Sequence, residues 1–236
     1  AGKNLRIIAN YGAGYDSVDI AAAAACGVPV TNIPHTVTNA TAELAIGLML
    51  AVSRRIGEMN LRLRKEDSMG LFGLGRHMGH TLQGRTLGVI GYGRIGARVG
   101  EIAKVLGMRV LAHSRHHIDG VENADLSTLF AQADVISLHC PLTDSTRYII
   151  CEESIAKMKK GVVILNASRG ALIDSEALLD GIKARHVGAA CLDVYEEESE
   201  LFFEDNSNLI INDDTLARLM TMPNVIVTSR QAFFTK

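Results

Sequence analysis

The 236-residue sequence has no tryptophan, four prolines and four cysteines, and aromatic residues make up 5% of it. Prolines stand only at 29, 34, 141 and 223, so 22 glycines do most of the punctuation. There is no internal repeat and no low-complexity tract. The cysteines, at 26, 140, 151 and 191, form no C-x-x-C pair and no metal-ligand spacing. They read as buried small residues in a reducing compartment, the cytoplasm, and no metal site is expected. Charge of one sign is also missing: 24 basic against 26 acidic residues gives −2. That excludes a basic field for nucleic acid and an acidic tail. The longest apolar runs, Ile20–Cys26 and Leu44–Val52, fall far short of the roughly 18 residues of a membrane span. No basic-then-apolar leader opens the chain, so a secretory signal is not expected.

What is present is core-forming material. Hydrophobic residues make up 47%, too many for a disordered chain. The length corresponds to about 1.6 domains. From residue 86 onward, short β-branched runs alternate with helical stretches. The runs are Thr86–Ile90, Arg109–Ala112, Asp134–His139, Val162–Asn166, Gly188–Leu192 and Asn224–Thr228. The helical stretches are Arg94–Leu106, Leu126–Ala131, Glu152–Lys159, Ser175–Arg185 and Asp214–Met220. Strands that are apolar throughout are covered on both faces, so six of them alternating with helices predict an α/β fold with a doubly wound parallel sheet. Ahead of this lie a strand at Leu5–Ala9, an Ala-rich helix at Asp19–Cys26, a strand at Val28–Thr31 and a long helix at Asn39–Arg55 with Thr38 as its N-cap. That last helix is apolar nearly all round, which predicts burial, with a subunit interface as one way to achieve it. Ser68–His80 reads as a Gly-rich connector.

Gly91-Tyr92-Gly93-Arg94-Ile95-Gly96 is a G-x-G-x-x-G between a strand and a helix. In that context Gly91 permits the tight turn, Gly93 lets a pyrophosphate approach the backbone and Gly96 lets helix and strand pack closely. The helix start then offers N–H groups and a positive dipole end to phosphates. Dinucleotide sites for NAD usually carry an acid about 20 residues on, at the end of the second strand, for the ribose 2′-hydroxyl. Here that strand runs into His113-Ser114-Arg115-His116-His117, with no carboxylate before Asp119. A hydroxyl and a guanidinium suit a 2′-phosphate, so NADP(H) is favoured, with NAD(H) the other possibility.

Three later segments, His139-Cys140-Pro141-Leu142-Thr143, Asn166-Ala167-Ser168-Arg169-Gly170 and Leu192-Asp193-Val194-Tyr195-Glu196-Glu197-Glu198, join the fingerprint and Asn39-Ala40-Thr41-Ala42-Glu43. In this order and spacing they resemble the D-isomer-specific 2-hydroxyacid dehydrogenases over essentially the whole chain. The resemblance implies a Rossmann domain beside a flavodoxin-like substrate domain, here incomplete, and hydride transfer between a nicotinamide cofactor and a small 2-oxo or 2-hydroxy acid. It makes Arg169 the substrate-orienting arginine, and a planar cation does suit gripping a carboxylate and polarising a carbonyl. It makes Asp193 the holder of the nicotinamide carboxamide and Glu198 the partner of the acid/base histidine. Arg94, Ile95, Cys140, Pro141, Thr146, Ala167 and Ser168 fall at cofactor positions. The backbone of Ala13 and Gly14 falls where the substrate carboxylate is received. The tail from Glu200 to Ser207 with Gln231-Ala232-Phe233 resembles the D-lactate dehydrogenase branch. Pro34-His35-Thr36-Val37-Thr38 resembles the glyoxylate and hydroxypyruvate reductase branch.

One position departs from the pattern. The family's acid/base histidine falls on Arg230, in Thr228-Ser229-Arg230-Gln231-Ala232-Phe233, and all eight histidines lie earlier in the chain. Arginine cannot cycle its proton at neutral pH. Two readings follow: an impaired dehydrogenase, or a silent NAD(P)-binding or sensing module of the same fold. The expected division is 1–34 as a remnant of the substrate domain, 35–228 as the dinucleotide domain and 229–236 as the segment returning to the first. On this division the sequence covers part of a two-domain protein. A homodimer built on the dinucleotide domain is expected.

Overall fold

The computed structural model describes residues 4–15, 17–65, 78–196 and 213–235. A small parallel pair, β1 (Ile8–Ala9) and β2 (Val30–Thr31), flanks helix α1 (Ile20–Ala25). Helices α2 (Thr38–Ser53) and α3 (Ile56–Lys65) follow. Then comes a seven-stranded sheet of β3 (Thr86–Ile90), β4 (Arg109–His113), β5 (Glu122–Asn123), β6 (Val135–Leu138), β7 (Val162–Asn166), β8 (Val187–Leu192) and β9 (Val225–Val227), in the order β5-β4-β3-β6-β7-β8-β9. Every neighbouring pair is parallel. The connecting helices are α4 (Arg94–Val105), α5 (Leu126–Gln132), α6 (Glu152–Ala156), α7 (Ser175–Lys183) and α8 (Asp214–Thr221).

Alternation within the strands explains why they read as unbroken apolar runs. Leu87, Val89, Val135, Leu165 and Cys191 face a core shared with Ala42, Ala45 and Met49 of α2 and Val99 and Ala103 of α4. Ile90, Ile136, Leu138, Ile164, Ala190 and Leu192 face the opposite core, with Leu129, Ile155, Leu178, Leu216 and Leu219 from the remaining helices. Both faces are covered, so period-2 patterning vanishes from the sequence. Three of the covering helices start on an aspartate. The carboxylates of Asp125, Asp174 and Asp213 accept hydrogen bonds from the N–H groups of Thr128 (2.7 Å), Ala177 (3.0 Å) and Leu216 (2.9 Å), each cap stabilising its helix by about 1 kcal/mol.

The doubly wound parallel sheet stands as expected, with local corrections. The sheet has seven strands, not six. Glu122 and Asn123 pair with Leu111 and Ala112 at the sheet edge, and the Glu122 carboxylate takes the Arg109 guanidinium of β4, so the strand leaves no hydrophobic trace. Of the strand expected at Leu5–Ala9, only Ile8 and Ala9 pair. Thr38 lies inside α2, and Val37 occupies the N-cap without a side-chain bond. That helix buries a stripe of Ala42, Ala45, Ile46 and Met49, while Glu43, Gly47 and Leu50 are exposed. Helix α3 had no counterpart in the sequence reading, and all but residues 78–80 of the Ser68–His80 connector lie outside the described residues. Cys26 is exposed rather than buried, Cys151 is half-buried, and all four cysteines are free.

Candidate active site

The strand register lines up one rim of the sheet. Ile90 pairs with both His113 and Leu138, Leu138 with Asn166, Asn166 with Leu192, and Leu192 with Val227. The residues just past those carboxyl ends therefore follow one another in the order Ser114, Gly91, His139, Ala167, Asp193 and Thr228. At about 4.8 Å per strand step, the row spans roughly 24 Å. The chain winds one way from β3 to β4 and the other way from β3 to β6, so the crevice between Gly91 and His139 is the topological switch point. Ligands of open α/β sheets bind there.

The fingerprint is built as a cradle. Gly91 has φ +94°, and a Cβ placed on it would sit 2.6 Å from the His139 carbonyl carbon and 2.7 Å from the Cys140 Cα. A Cβ on Gly96 would strike the Gly91 carbonyl oxygen. On Gly93 nothing lies within 4 Å of that position, so the backbone there is open to a ligand. Gly93 is also the N-cap of α4 and provides no side-chain hydrogen bond. The leading N–H groups of this helix thus lack the cap that Asp125, Asp174 and Asp213 supply elsewhere, and its dipole end faces the open turn. No ligand is needed to see that these residues fit a dinucleotide pyrophosphate.

On one side of the turn, the Gly91 N–H donates to the His113 carbonyl (2.9 Å), and His113 Nδ1 lies 3.1 Å from the Ala124 carbonyl oxygen. Ser114 is half-buried and Arg115 exposed. On the other side, Thr146 Oγ1 donates to the Pro141 carbonyl (2.7 Å) and accepts from the Thr143 N–H (2.8 Å), folding the Cys140–Thr146 loop on itself. Ser168 Oγ donates to the Cys140 carbonyl (2.8 Å), tying this loop to the next strand end. Burial pushes the Cys140 thiol up to about 11, so it is no nucleophile at neutral pH. His139 donates to or accepts from Ser137 Oγ through Nε2 (2.7 Å), and its Nδ1 is buried with no hydrogen-bond partner among the described residues. Burial pushes its pKa down to about 4, so it stays neutral and holds no proton to give at pH 7.

Sequence reasoning gave no role to Asn166, which is 1% exposed. Its amide accepts from the Ser168 N–H (3.1 Å) and donates to the Arg169 carbonyl (2.8 Å), shaping the loop that carries the arginine. The only hint was a polar residue closing an otherwise apolar strand. Arg169 is half-buried, and its Nη1 donates to the Ser168 carbonyl (2.8 Å). A Cβ on Gly170 would lie 2.6 Å from the Glu196 N, so this loop and the one after β8 are in close contact. Glu196 accepts from the Tyr148 hydroxyl and from the Ser175 N–H (3.3 Å), and Arg147 stacks on the Tyr148 ring at 4.5 Å. Asp193 is 2% exposed and its carboxylate is turned to the C-terminal segment, taking hydrogen bonds from Thr228, Gln231 and Ala232. At the front, Asn10 Nδ2 donates to the carbonyls of Gly12 (3.2 Å) and Gly14 (2.7 Å), and Asn32 Nδ2 to that of Ala13 (2.8 Å). Glu198 lies outside the described residues, as does the segment from Glu200 to Ser207. Among the described residues no cluster of histidine, cysteine and acidic side chains could hold a metal ion, and no helix is long and apolar enough to cross a membrane.

Comparison with known proteins decides the family. Residues 46–232 match the model of the D-isomer specific 2-hydroxyacid dehydrogenase NAD binding domain. The chain belongs to the D-isomer-specific 2-hydroxyacid dehydrogenase family. Among its relatives, the D-lactate dehydrogenase of Escherichia coli strain K12 is 44% identical over 236 residues, covering 98% of this chain and 70% of that protein. A 2-hydroxyacid dehydrogenase homolog of Schizosaccharomyces pombe is 42% identical over all of this chain and 71% of its own length. Among solved structures, the Aquifex aeolicus D-lactate dehydrogenase complexed with NAD and lactic acid superimposes with a TM-score of 0.90 at 30% identity, over 99% of this chain and 72% of that one. As in the other 2-hydroxyacid dehydrogenases, the sheet of residues 86–227 is therefore an NAD-binding Rossmann domain.

Proposed function

We propose that this dehydrogenase interconverts a small 2-oxo acid and the corresponding D-2-hydroxy acid, and that its turnover is limited by Arg230. The observation that carries the reading is the shared rim. The open Gly93 turn, the Arg169 loop and the turn bearing Arg230 all lie at the carboxyl ends of one parallel sheet. The N–H groups of α4 hold the pyrophosphate over Gly91, Gly93 and Gly96, with Arg94 and Ile95 beside it. Cys140, Pro141 and Thr146 border the ribose, and Ala167 and Ser168 line the path between. The nicotinamide, when bound, supplies or takes the hydride. The Arg169 guanidinium grips the substrate carboxylate and polarises the carbonyl, with the Ala13 and Gly14 backbone receiving the same carboxylate. Position 230 then meets the oxygen that needs a proton, and Glu198 is the carboxylate that a histidine there would use. An arginine gives no proton at neutral pH, and general acid help is worth about 10²–10⁴ in rate.

Arg230→His is therefore expected to raise 2-oxo acid reduction at least tenfold, read as substrate-dependent loss of NAD(P)H absorbance across pyruvate, glyoxylate and hydroxypyruvate as substrates. Equal rates for the two proteins refute the assignment. Arg230 also favours a second reading, a dinucleotide-binding or sensing module without turnover. Both readings give NAD(P)H fluorescence changes on binding, and only the first gives consumption.

Within NAD(P)(H), Ser114 and Arg115 support a preference for NADP(H), because neither repels a 2′-phosphate and Arg115 can pair with it. Tighter NADH than NADPH binding in a titration refutes that preference. Residues 35–228 serve as the cofactor domain, with 1–34 and 229–236 on the substrate side. Homodimerisation through the cofactor domain, and a cytoplasmic setting, complete the proposal. Light scattering that shows a monomer counts against the dimer.

A further inference from the structure

We infer that Asp193 is a positioning residue that clamps the turn carrying position 230 against the site. Ser229 and Arg230 are consecutive residues in the left-handed region, at φ +49° and +55°. Side-chain-bearing residues avoid that region, and such strain persists only where surrounding contacts enforce it. Asp193 makes four contacts with this turn. The Asp193 carboxylate accepts from Thr228 Oγ1 (2.6 Å), the Gln231 N–H (2.7 Å) and the Ala232 N–H (3.0 Å), while its backbone carbonyl accepts from the Arg230 N–H (2.6 Å). Thr228, Arg230, Gln231 and Ala232 are thus pinned from both sides of the strained pair. The Asp193 N–H in turn donates to the Asn166 carbonyl (2.9 Å), and Asn166 shapes the Arg169 loop. One buried aspartate therefore sets the register between the substrate-gripping loop and the turn that faces the substrate oxygen.

The arrangement has a chemical logic. Ionised carboxylate oxygens can take several N–H and O–H bonds at once, and charge-assisted bonds are shorter and stronger than neutral ones. An asparagine keeps one acceptor oxygen but turns two donors toward the Ala232 N–H, so it can replace part of the clamp and not all of it. A residue held within about 0.5 Å for proton delivery loses rate when its support loosens, while the grip of Arg169 on the substrate carboxylate changes little. The kinetic half of this inference rests on the proposed role of position 230, and the structural half does not.

Asp193→Asn and Asp193→Ala, each made in the present chain and with Arg230→His, separate the two halves. Amide hydrogen exchange without cofactor is expected to speed up at residues 228–234, at least tenfold for alanine and a few-fold for asparagine, with the amides of β7 unchanged. Unchanged exchange at 228–234 in both variants overturns the clamp. If alanine loosens the whole fold, the asparagine variant decides by the same criterion. In the Arg230→His background, Asp193→Asn is expected to lower kcat at least tenfold while KM for the 2-oxo acid stays within threefold. A loss confined to dinucleotide affinity, with kcat and exchange unchanged, overturns positioning and leaves Asp193 with the cofactor role alone. If Arg230→His itself stays inactive, the reading of position 230 fails, and the exchange measurement still decides the clamp.

Discussion

Adding one methyl group at Gly93, and separately at Gly91, discriminates what the fingerprint does. At Gly93 a Cβ meets nothing within 4 Å and the backbone has φ −82°, so Gly93→Ala leaves the apo fold intact. Exchanging glycine for alanine at an N-cap costs up to about 1 kcal/mol. The methyl does occupy the space where a phosphate oxygen approaches the leading N–H groups of α4. Charge-assisted hydrogen bonds contribute about 1.5–3 kcal/mol each, so losing one weakens binding by roughly 10–150-fold. At Gly91 the same methyl collides with the His139–Cys140 backbone and requires a side chain at φ +94°. The left-handed conformation costs about 1–2 kcal/mol and overpacking about 1–3, so the fold loses roughly 2–5 kcal/mol. At about 2–4 °C per kcal/mol for a domain of this size, thermal unfolding falls by roughly 4–20 °C. Fluorescence titration with NADPH and NADH, paired with thermal unfolding of the unliganded proteins, reads both quantities. If Gly93→Ala binds as tightly as the parent chain, the pyrophosphate does not sit on this turn. If the two variants lose equal stability, Gly93 is a structural residue and the cradle argument fails.

Two further outcomes follow from the same geometry. Ser114→Asp places a carboxylate at the end of β4. It is expected to weaken NADPH relative to NADH by at least tenfold in the same titration, and an unchanged ratio removes Ser114 from the 2′-site. His139 is neutral in the fold, with its pKa down at about 4 against an ordinary 6.5. The unfolded chain therefore binds a proton that the folded one refuses, and stability falls as pH drops from 6.5 toward 4, by about 3 kcal/mol in all. In urea titrations His139→Gln is expected to flatten that part of the stability curve, and an unaltered slope refutes the burial argument.

The sequence alone determined the class of fold and the position of the fingerprint. A parallel sheet covered on both faces needs whole strands of apolar residues, and close approach to a phosphate needs glycine at fixed spacing. Both are local demands that leave local marks. Arg169, Asp193 and Arg230 were recognisable as a set, but their mutual arrangement was not. They stand 24 and 37 residues apart along the chain and become neighbours only because β7, β8 and β9 end in register on one rim. The strand Glu122–Asn123 escaped notice for the opposite reason: edge pairing by backbone groups and the Arg109–Glu122 ion pair puts no apolar pattern in the sequence. The duty of Asn166 was equally hidden, since one polar residue at a strand end looks the same whether it meets solvent or orders a loop. The two left-handed residues before Gln231 are the clearest tertiary decision. Nothing in Ser229-Arg230 favours that backbone, and the buried Asp193 just past β8, its carboxylate accepting three hydrogen bonds at once and its carbonyl a fourth, helps hold it there.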